Sequence, residues 1–513
     1  MKNLLLVLLI VLTGLTGCAV NPVTGKNQLS LVSEAQELEI GRKNYAPLRQ
    51  SQGGDYVVDK ALTAYVSEVG QKLAAVSDRK LPYEFKVLNS SVPNAWALPG
   101  GKISLNRGLL TELESEAELA AVLGHEITHA AAKHTASSMS RGMLIQGAVL
   151  ATVVGTQDKD YAQLATLGAG IGAQLVTQKY GRDAERESDF YGMKYMSKAG
   201  YDPQGAVDLQ KTFVRLSEGK NQDWLSGLFA SHPPSQERVE NNLATVATLP
   251  QGGTRGERRF KQKTAHIKRT KPAYDAYDEG RKALKDNDSG LARSLAKKAI
   301  RLEPNEGHFH ALLGDVEEKN NRHKTARRHY DKAIKLNDEF FYYYLMRGQV
   351  NETLKATAAA KRDLEKSVRL LPTANAYTSL GNIAKREGDL KRAKSYYTKA
   401  ASNKSTQGKL AYRSLMELDL SDNPQNYIKL QTGLDNDGRL KAALSNPTPS
   451  NVRDVVVTVQ YRDTSGRVRK VNRSYKGKLA AGKKRIVDLG FAKLTKAQLS
   501  NIKASITGAR LAE

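Results

Sequence analysis

The first pattern along the chain is an apolar run, Leu4 to Leu15, behind the single cation Lys2. A membrane-spanning helix needs about 20 apolar residues, so this run is too short to span in a mature protein. It closes on Leu15-Thr16-Gly17-Cys18 and reads as a signal peptide over residues 1–17, with a lipobox ending at Cys18. Residues from Ser115 to His134 read as a helix, and the stretch from Tyr180 to Asp189 as part of a second. Between them, Met143 to Gly155 and Ala162 to Val176 are apolar but interrupted by Gln157-Asp158-Lys159-Asp160, and neither half reaches spanning length. These halves are expected as core helices or as an apolar flap over a neighbouring site.

Further on, the pattern becomes a repeat. Gly280, Gly314 and Gly348 are 34 residues apart, as are Ala292, Ala326 and Ala360, and Pro304 and Pro372 stand at twice that spacing. Small residues at these points let two helices of a hairpin meet, and the period is that of tetratricopeptide (TPR) repeats. A fourth unit, with Leu380, Gly381, Ala393, Tyr397 and Ala400, runs one residue out of register. Four stacked units form a solenoid whose concave face can hold a peptide, although a plain spacer would show the same period. After Ser421 the period shifts to two: Val455, Val457, Val459 and Tyr461 alternate, a turn follows at Thr464-Ser465-Gly466, and a strand runs from Val468 to Tyr475. Asn446-Pro447-Thr448 weakly resembles the FxLYD type of bacterial domain. The organisation expected is a mainly α, multidomain chain. An α+β domain with a small edge sheet fills residues 18–250. A basic linker, 251–272, leads to about four repeats at 273–420 and an antiparallel β-sandwich at 421–513.

Composition changes this picture in two places. One cysteine, Cys18, excludes an intramolecular disulfide and leaves that thiol for lipid attachment. Ala19 rather than Asp after it points to the outer membrane, so the expected location is periplasmic, lipid-anchored in the inner leaflet of that membrane. The net charge is +26, and the excess lies after residue 250. Such a field favours anionic partners. In a secreted lipoprotein these are lipid headgroups, lipopolysaccharide or acidic proteins rather than nucleic acid, and solubility alone would also account for the charge. The stretch Arg255 to Lys271 carries part of the excess, lacks a core-forming pattern and is expected to be exposed.

The chemistry sits in Gly124-His125-Glu126-Ile127-Thr128-His129. Residues four apart share a helix face, so His125 and His129 can direct two imidazoles at one metal ion, with Glu126 beside them to reach a water. Glu185 and Asp189, again four apart, follow in Arg182-Asp183-Ala184-Glu185-Arg186-Glu187-Ser188-Asp189. Glu185 completes a His2Glu set for one Zn2+ per chain, and Asp189 can accept a hydrogen bond from the far nitrogen of a ligating histidine. Glu187 is the competing ligand but faces elsewhere on that helix; taken alone, the acidic run would be a solvated face. His232, in Ser231-His232-Pro233-Pro234, is the candidate third histidine. It could donate to an oxyanion, with Arg182 and Tyr180 behind it, could occupy the open metal position as a latch, or could be an ordinary loop residue.

Together with Asn94-Ala95-Trp96-Ala97-Leu98-Pro99-Gly100-Gly101-Lys102-Ile103, Ala199-Gly200-Tyr201-Asp202-Pro203 and Asn21-Pro22-Val23-Thr24-Gly25-Lys26, these motifs resemble the gluzincin metallopeptidases of the HtpX and CAAX prenyl protease type. More narrowly, the chain is similar to the BepA-like periplasmic branch that joins such a domain to TPR repeats. The resemblance implies that His125, His129 and Glu185 bind zinc and that Glu126 is the general base. It also implies that the strand near Asn94, Ala95 and Trp96 edges the cleft and pairs with an extended substrate. Gly181, Ser188 and Thr128 depart from the usual residues of that pattern, which bears on substrate preference rather than on metal binding.

Two functions are compatible with this sequence. The first is a zinc endopeptidase acting on misfolded or stalled envelope proteins, with the repeats recruiting substrate or the outer-membrane assembly machinery. The second is an assembly factor or chaperone in which the repeats act and hydrolysis is rare. An intact Glu126 favours the first, because an idle site has no need of a base.

Overall fold

The computed structural model describes residues 18–153, 180–218, 232–403, 405–463 and 465–512. The expected signal peptide and the stretch Ala162 to Val176 lie outside the described residues. The chain divides into two compact units, one ending at Val350 and one beginning at Asn351. Among the described residues, no helix is long and apolar enough to cross a membrane.

The first unit begins with a short antiparallel hairpin, β1 (Cys18–Val20) against β2 (Asn27–Leu29). Its turn is built on Asn21, whose Oδ1 accepts the amides of Val23 and Thr24 at 2.9 and 3.3 Å. Helix α1 (Glu34–Ser51) starts on a capping box of Ser33 and Gln36, and α2 (Lys60–Ala74) on an Asp59 cap. In α2, Leu62, Val66, Val69 and Leu73 recur at helical spacing and are buried. A three-stranded sheet follows. β3 (Glu84–Leu88) runs parallel to β5 (Lys102–Asn106), and β4 (Ala95–Leu98) lies antiparallel to β5 at the edge. Side chains alternate across β4: Ala95 and Ala97 enter the main core, whereas Trp96 and Leu98 pack with Tyr45 and Leu48 of α1.

After the short helix α3 (Arg107–Glu112) comes α4 (Glu116–Ala131), capped by Ser115, whose Oγ accepts the Glu118 amide. Every residue of α4 is buried, which is why its sequence is rich in alanine and has no solvent-exposed face. Helix α6 (Arg182–Lys198) crosses it at two glycines. A Cβ on Gly124 would lie 2.9 Å from the Gly192 carbonyl oxygen, and one on Gly192 would lie 3.0 Å from Gly124 C. Only residues without a Cβ permit this approach. The expected helix from Ser115 to His134 is interrupted: Lys133 has φ 61°, and α5 (His134–Val153) starts in a new direction. Helices α7 (Gln204–Ser217) and α8 (Gln236–Val246) complete the layer around α4 and α6.

The basic segment expected to be an exposed linker is instead most of one long helix, α9 (Glu257–Lys285). Phe260, Thr264, Ile267, Thr270, Ala273 and Tyr274 form its buried stripe. Two threonines occupy apolar positions of that stripe among many cations, which hid the period. Phe260 and Ile267 join the same core as Leu119 and Leu123 of α4 and Met196 of α6. Arg259 pairs with Glu116 at 3.0 Å and Glu68 at 2.7 Å, so part of the positive charge is neutralised there. Helices α10 (Ser289–Leu302), α11 (Gly307–Lys319) and α12 (His323–Leu336) continue the array. Two of the repeat glycines lie at close approaches: a Cβ on Gly280 would meet Leu312 Cδ2 at 2.9 Å, and one on Gly314 the Tyr330 ring at 2.7 Å. Helix α13 spans Phe341–Thr353.

The second unit holds α14 (Thr357–Leu370), α15 (Ala374–Arg386), α16 (Leu390–Ala401) and α17 (Thr406–Asp419). Here Gly381 faces the Tyr397 ring in the same way. Two three-stranded antiparallel sheets follow. One has the order β10 (Lys484–Asp488), β7 (Leu440–Ser445), β6 (Lys429–Leu434); the other has β11 (Lys503–Leu511), β8 (Val452–Arg462), β9 (Val468–Tyr475). Val455, Val457 and Val459 of β8 share one core with Leu440, Ala442 and Leu444 of β7, giving the antiparallel module its buried interior.

Burial of Phe260 gives a direct test of the α9 assignment. Phe260→Ala should destabilise the first unit by about 3–5 kcal/mol in urea unfolding, whereas a change at exposed Lys261 should cost under about 0.5 kcal/mol. Equal, small effects would return the segment to a linker.

Candidate metal centre

Three segments of the chain meet at one point. Helix α4 sets the His125 and His129 Nε2 atoms 3.0 Å apart. Across the glycine contact, α6 presents Glu185, with Oε2 3.5 Å from His125 Nε2 and Oε1 3.3 Å from His129 Nε2. His232, just before α8, puts its Nδ1 3.3 Å from His125 Nε2 and 3.0 Å from Glu185 Oε1. One ligand atom from each of these four buried residues lies within 4.8 Å of the other three. A zinc–nitrogen bond of about 2.0–2.1 Å puts tetrahedral ligand atoms roughly 3.3 Å apart, so the cluster has the spacing of a metal site.

Charge state fits as well. Burial drives the His129 pKa well below its ordinary value, which keeps the ring neutral, as a ligand must be. Burial alone would raise the Glu185 carboxyl, but the charges of His232 and His125 and hydrogen bonds from His129 and His232 bring it well below the usual range. Glu126 is shifted the other way: burial raises its carboxyl against the opposing pull of His232 and His125. Its Oε2 is buried with no hydrogen-bond partner, and its Oε1 stands 3.6 Å from His232 Nε2. A buried carboxylate oxygen left without a donor is costly unless the site supplies one in use.

Asp189 lies behind His125, with Oδ1 2.9 Å from His125 Nδ1. It is held in turn by Arg238 of α8, through Nε to Oδ2 at 2.8 Å and Nη2 to Oδ1 at 2.7 Å. Arg238 Nη1 also reaches Glu185 Oε2 at 3.1 Å. Arg238 escaped sequence reasoning because no motif marks it. The only available signal was that two buried carboxylates need a cation. His134 was missed too; its Nδ1 lies 2.9 Å from His129 Nδ1. Glu187 is turned away from the four-residue cluster, toward Asn21 and His134.

Other expected site residues are placed differently. Ala95 lines an apolar pocket beside the centre with Val122, Met193, Leu209 and Phe213. Trp96 is buried on the far face of β4, edge-on to Tyr45, with Nε1 donating to Gln52 Oε1 at 3.2 Å, so its side chain does not face the pocket. Asn94 is buried, with Oδ1 unpartnered. Arg182 is exposed at the start of α6. Tyr180 stacks on the His129 ring at 4.0 Å, and its hydroxyl bonds Thr135 Oγ1, so it packs against that imidazole rather than donating into the site.

Two imidazoles and a carboxylate converge from crossing helices, and a carboxylate with one unpartnered oxygen stands next in sequence to the first imidazole: this is the donor arrangement of a gluzincin metallopeptidase. Residues 60–245 match the model of peptidase family M48, and residues 374–407 match a tetratricopeptide repeat. The chain therefore carries an M48 peptidase domain joined to TPR repeats. It is 28% identical over 269 residues to the metalloprotease YcaL of Escherichia coli, covering 48% of this chain and 99% of that protein. It is 29% identical over 222 residues to a putative beta-barrel assembly-enhancing protease of Vibrio cholerae, covering 42% of this chain and 45% of the relative. To the mitochondrial metalloendopeptidase OMA1 of Schizosaccharomyces pombe it is 30% identical over 222 residues, covering 42% and 63%. The matched region thus spans about half the length of the Vibrio relative and under two thirds of the yeast one.

Glu185→Ala should leave the fold intact and lower the metal content of purified protein well below one per chain, as read by elemental analysis. Unchanged metal at unchanged folding would remove Glu185 from the ligand set.

Proposed function

We propose that the chain is a zinc endopeptidase that cuts misfolded or stalled proteins of the bacterial envelope. The observation that carries this reading is Glu126: a buried carboxylate, raised in pKa, with one oxygen free beside the ligand cluster. When bound at His125, His129 and Glu185, zinc supplies Lewis acidity, bringing a water near pKa 7 and polarising a carbonyl. Glu126 takes the proton of the attacking water and returns it to the leaving amine, roles that a raised carboxyl pKa suits. Asp189 and Arg238 hold His125 in orientation. The edge strand β4 offers its backbone to an extended substrate, with Ala95 at the pocket wall.

His232 is proposed as a latch: its Nδ1 stands where a fourth ligand would, 3.0 Å from Glu185 Oε1. The proposed setting is the periplasm, with lipid on Cys18 anchoring the chain to the outer membrane. Unfolded envelope proteins are the substrates, the repeat groove engages the assembly machinery, and the basic second half contacts anionic lipid or lipopolysaccharide. The similarity to a putative beta-barrel assembly-enhancing protease and to a bacterial metalloprotease supports this setting.

Glu126→Gln tests the mechanism. It should keep its metal and lose cleavage of an unfolded model substrate by several orders of magnitude. Normal cleavage would overturn the reading, and full complementation of a deletion by this inactive form would favour the assembly-factor alternative.

His232→Ala separates two roles by sign. As a latch, its removal should raise basal cleavage. As an oxyanion donor, its removal should lower the rate by roughly 10²–10³. An unchanged rate would make it an ordinary loop histidine.

A further inference from the structure

Hydrolysis makes no use of His134, yet its ring abuts His129. In an uninterrupted helix, residues five apart lie roughly 140° apart around the axis, and their side chains do not meet. They meet here because α4 ends at Ala131 and Lys133 adopts φ 61°. For a residue with a side chain, that left-handed conformation costs about 1–2 kcal/mol. The turn is held by Lys133 Nζ on buried Glu37 Oε1 at 3.1 Å. It is also held by Gln28 Nε2 of the N-terminal hairpin, which donates to the Ala132 carbonyl at 3.0 Å.

The hydrogen bonds leading away from His129 run in one direction only. Its Nε2 faces the ligand cluster and must be unprotonated to ligate. The neutral ring then carries its proton on Nδ1 and donates it to His134 Nδ1 at 2.9 Å. With Nδ1 accepting, neutral His134 has its proton on Nε2, which donates to Glu187 Oε1 at 3.2 Å. The same oxygen accepts from Asn21 Nδ2 at 2.8 Å. Asn21 has no freedom to flip, because its Oδ1 already accepts the Val23 and Thr24 amides. Asn21 is 4% exposed and His134 7%.

We infer that His134 and Asn21 are positioning residues of the metal centre. With Glu187 they form a relay that holds His129 in the one tautomer able to ligate, and they make the N-terminal hairpin a working part of the site. His125 is oriented by Asp189 and Arg238 from the crossing helices, whereas His129 is oriented from the other side by the segment that immediately follows Cys18. This inference rests on the metallopeptidase reading above.

The test uses the full-length protein and zinc as the probe, with affinity measured by chelator competition. His134→Phe keeps the ring shape but neither accepts nor donates. Asn21→Asp keeps the turn, since Asp caps the same amides, but sets an oxygen against Glu187. Both should weaken zinc binding by about 10–100-fold, the range for loss of an outer hydrogen-bond partner. His134→Gln, which can accept and donate in the same order, should recover most of that loss. The zinc-loaded wild type should show a slowly exchanging His129 ring N–H resonance by NMR, absent in His134→Phe and present in His134→Gln. Affinities of both weakened variants within twofold of wild type, in folded protein, would overturn the relay. If His134→Phe does not fold, Asn21→Asp decides alone. A wild-type chain that takes up no zinc would overturn the metallopeptidase reading itself, whereas zinc held equally by all variants overturns only the relay.

Discussion

The centre depends on one backbone contact. Helices usually pack with axes about 8–10 Å apart because side chains stand between them. Gly124 and Gly192 remove those side chains at the crossing, and the two backbones touch. His125 is next to the first glycine, and Glu185 lies two turns before the second, so closeness of backbone becomes closeness of ligand atoms. A single methyl group at either glycine would push the Glu185 carboxylate away from both imidazoles. The alanine-rich sequence of α4 serves the same end, because a helix buried on every side can be approached by neighbours from all directions.

Charge balance explains much of what surrounds this contact. Glu126, Glu185 and Asp189 bring three carboxylates into a buried space, and Arg238 supplies one guanidinium. A divalent cation held by the cluster would make up the difference. Without that cation, the positive charge must come from elsewhere, and His232 is suited to it: burial opposes its protonation, but Glu185 and Glu126 hold its pKa above the ordinary value. A charged His232 cannot ligate, so proton and metal are alternatives at this ring. The position that makes it a candidate fourth ligand also makes it a stand-in for the ion.

The sequence carried this site unevenly. His125, Glu126 and His129 were legible because three residues on one helix face need only local geometry. Glu185 and Asp189 were legible because a second i, i+4 pair is also local. Arg238 and the His134–Glu187–Asn21 relay were not, since each joins segments distant in sequence through a fold that no local pattern encodes. The direction of the Trp96 side chain was not legible for a related reason: alternation along β4 says that neighbours face opposite ways, but not which face meets the cleft. The repeats were legible from Gly280 onward because stacking repeats its demands every 34 residues. Helix α9 was hidden before that point, where Thr264 and Thr270 stand in for apolar residues.

Because α9 is both the first helix of the array and a wall of the peptidase core, the two regions are not separable modules. Phe260 and Ile267 are fully buried among peptidase side chains, and Arg107 of the peptidase stacks on the Tyr274 ring at 3.4 Å. A chain ending at residue 250 would leave an open apolar socket and an unneutralised Glu116, the features of an aggregating fragment. The metal centre and the first repeat are therefore expected to melt together in one cooperative transition. A strong pull on the start of the array would reach the metal helix before the helix could unfold alone.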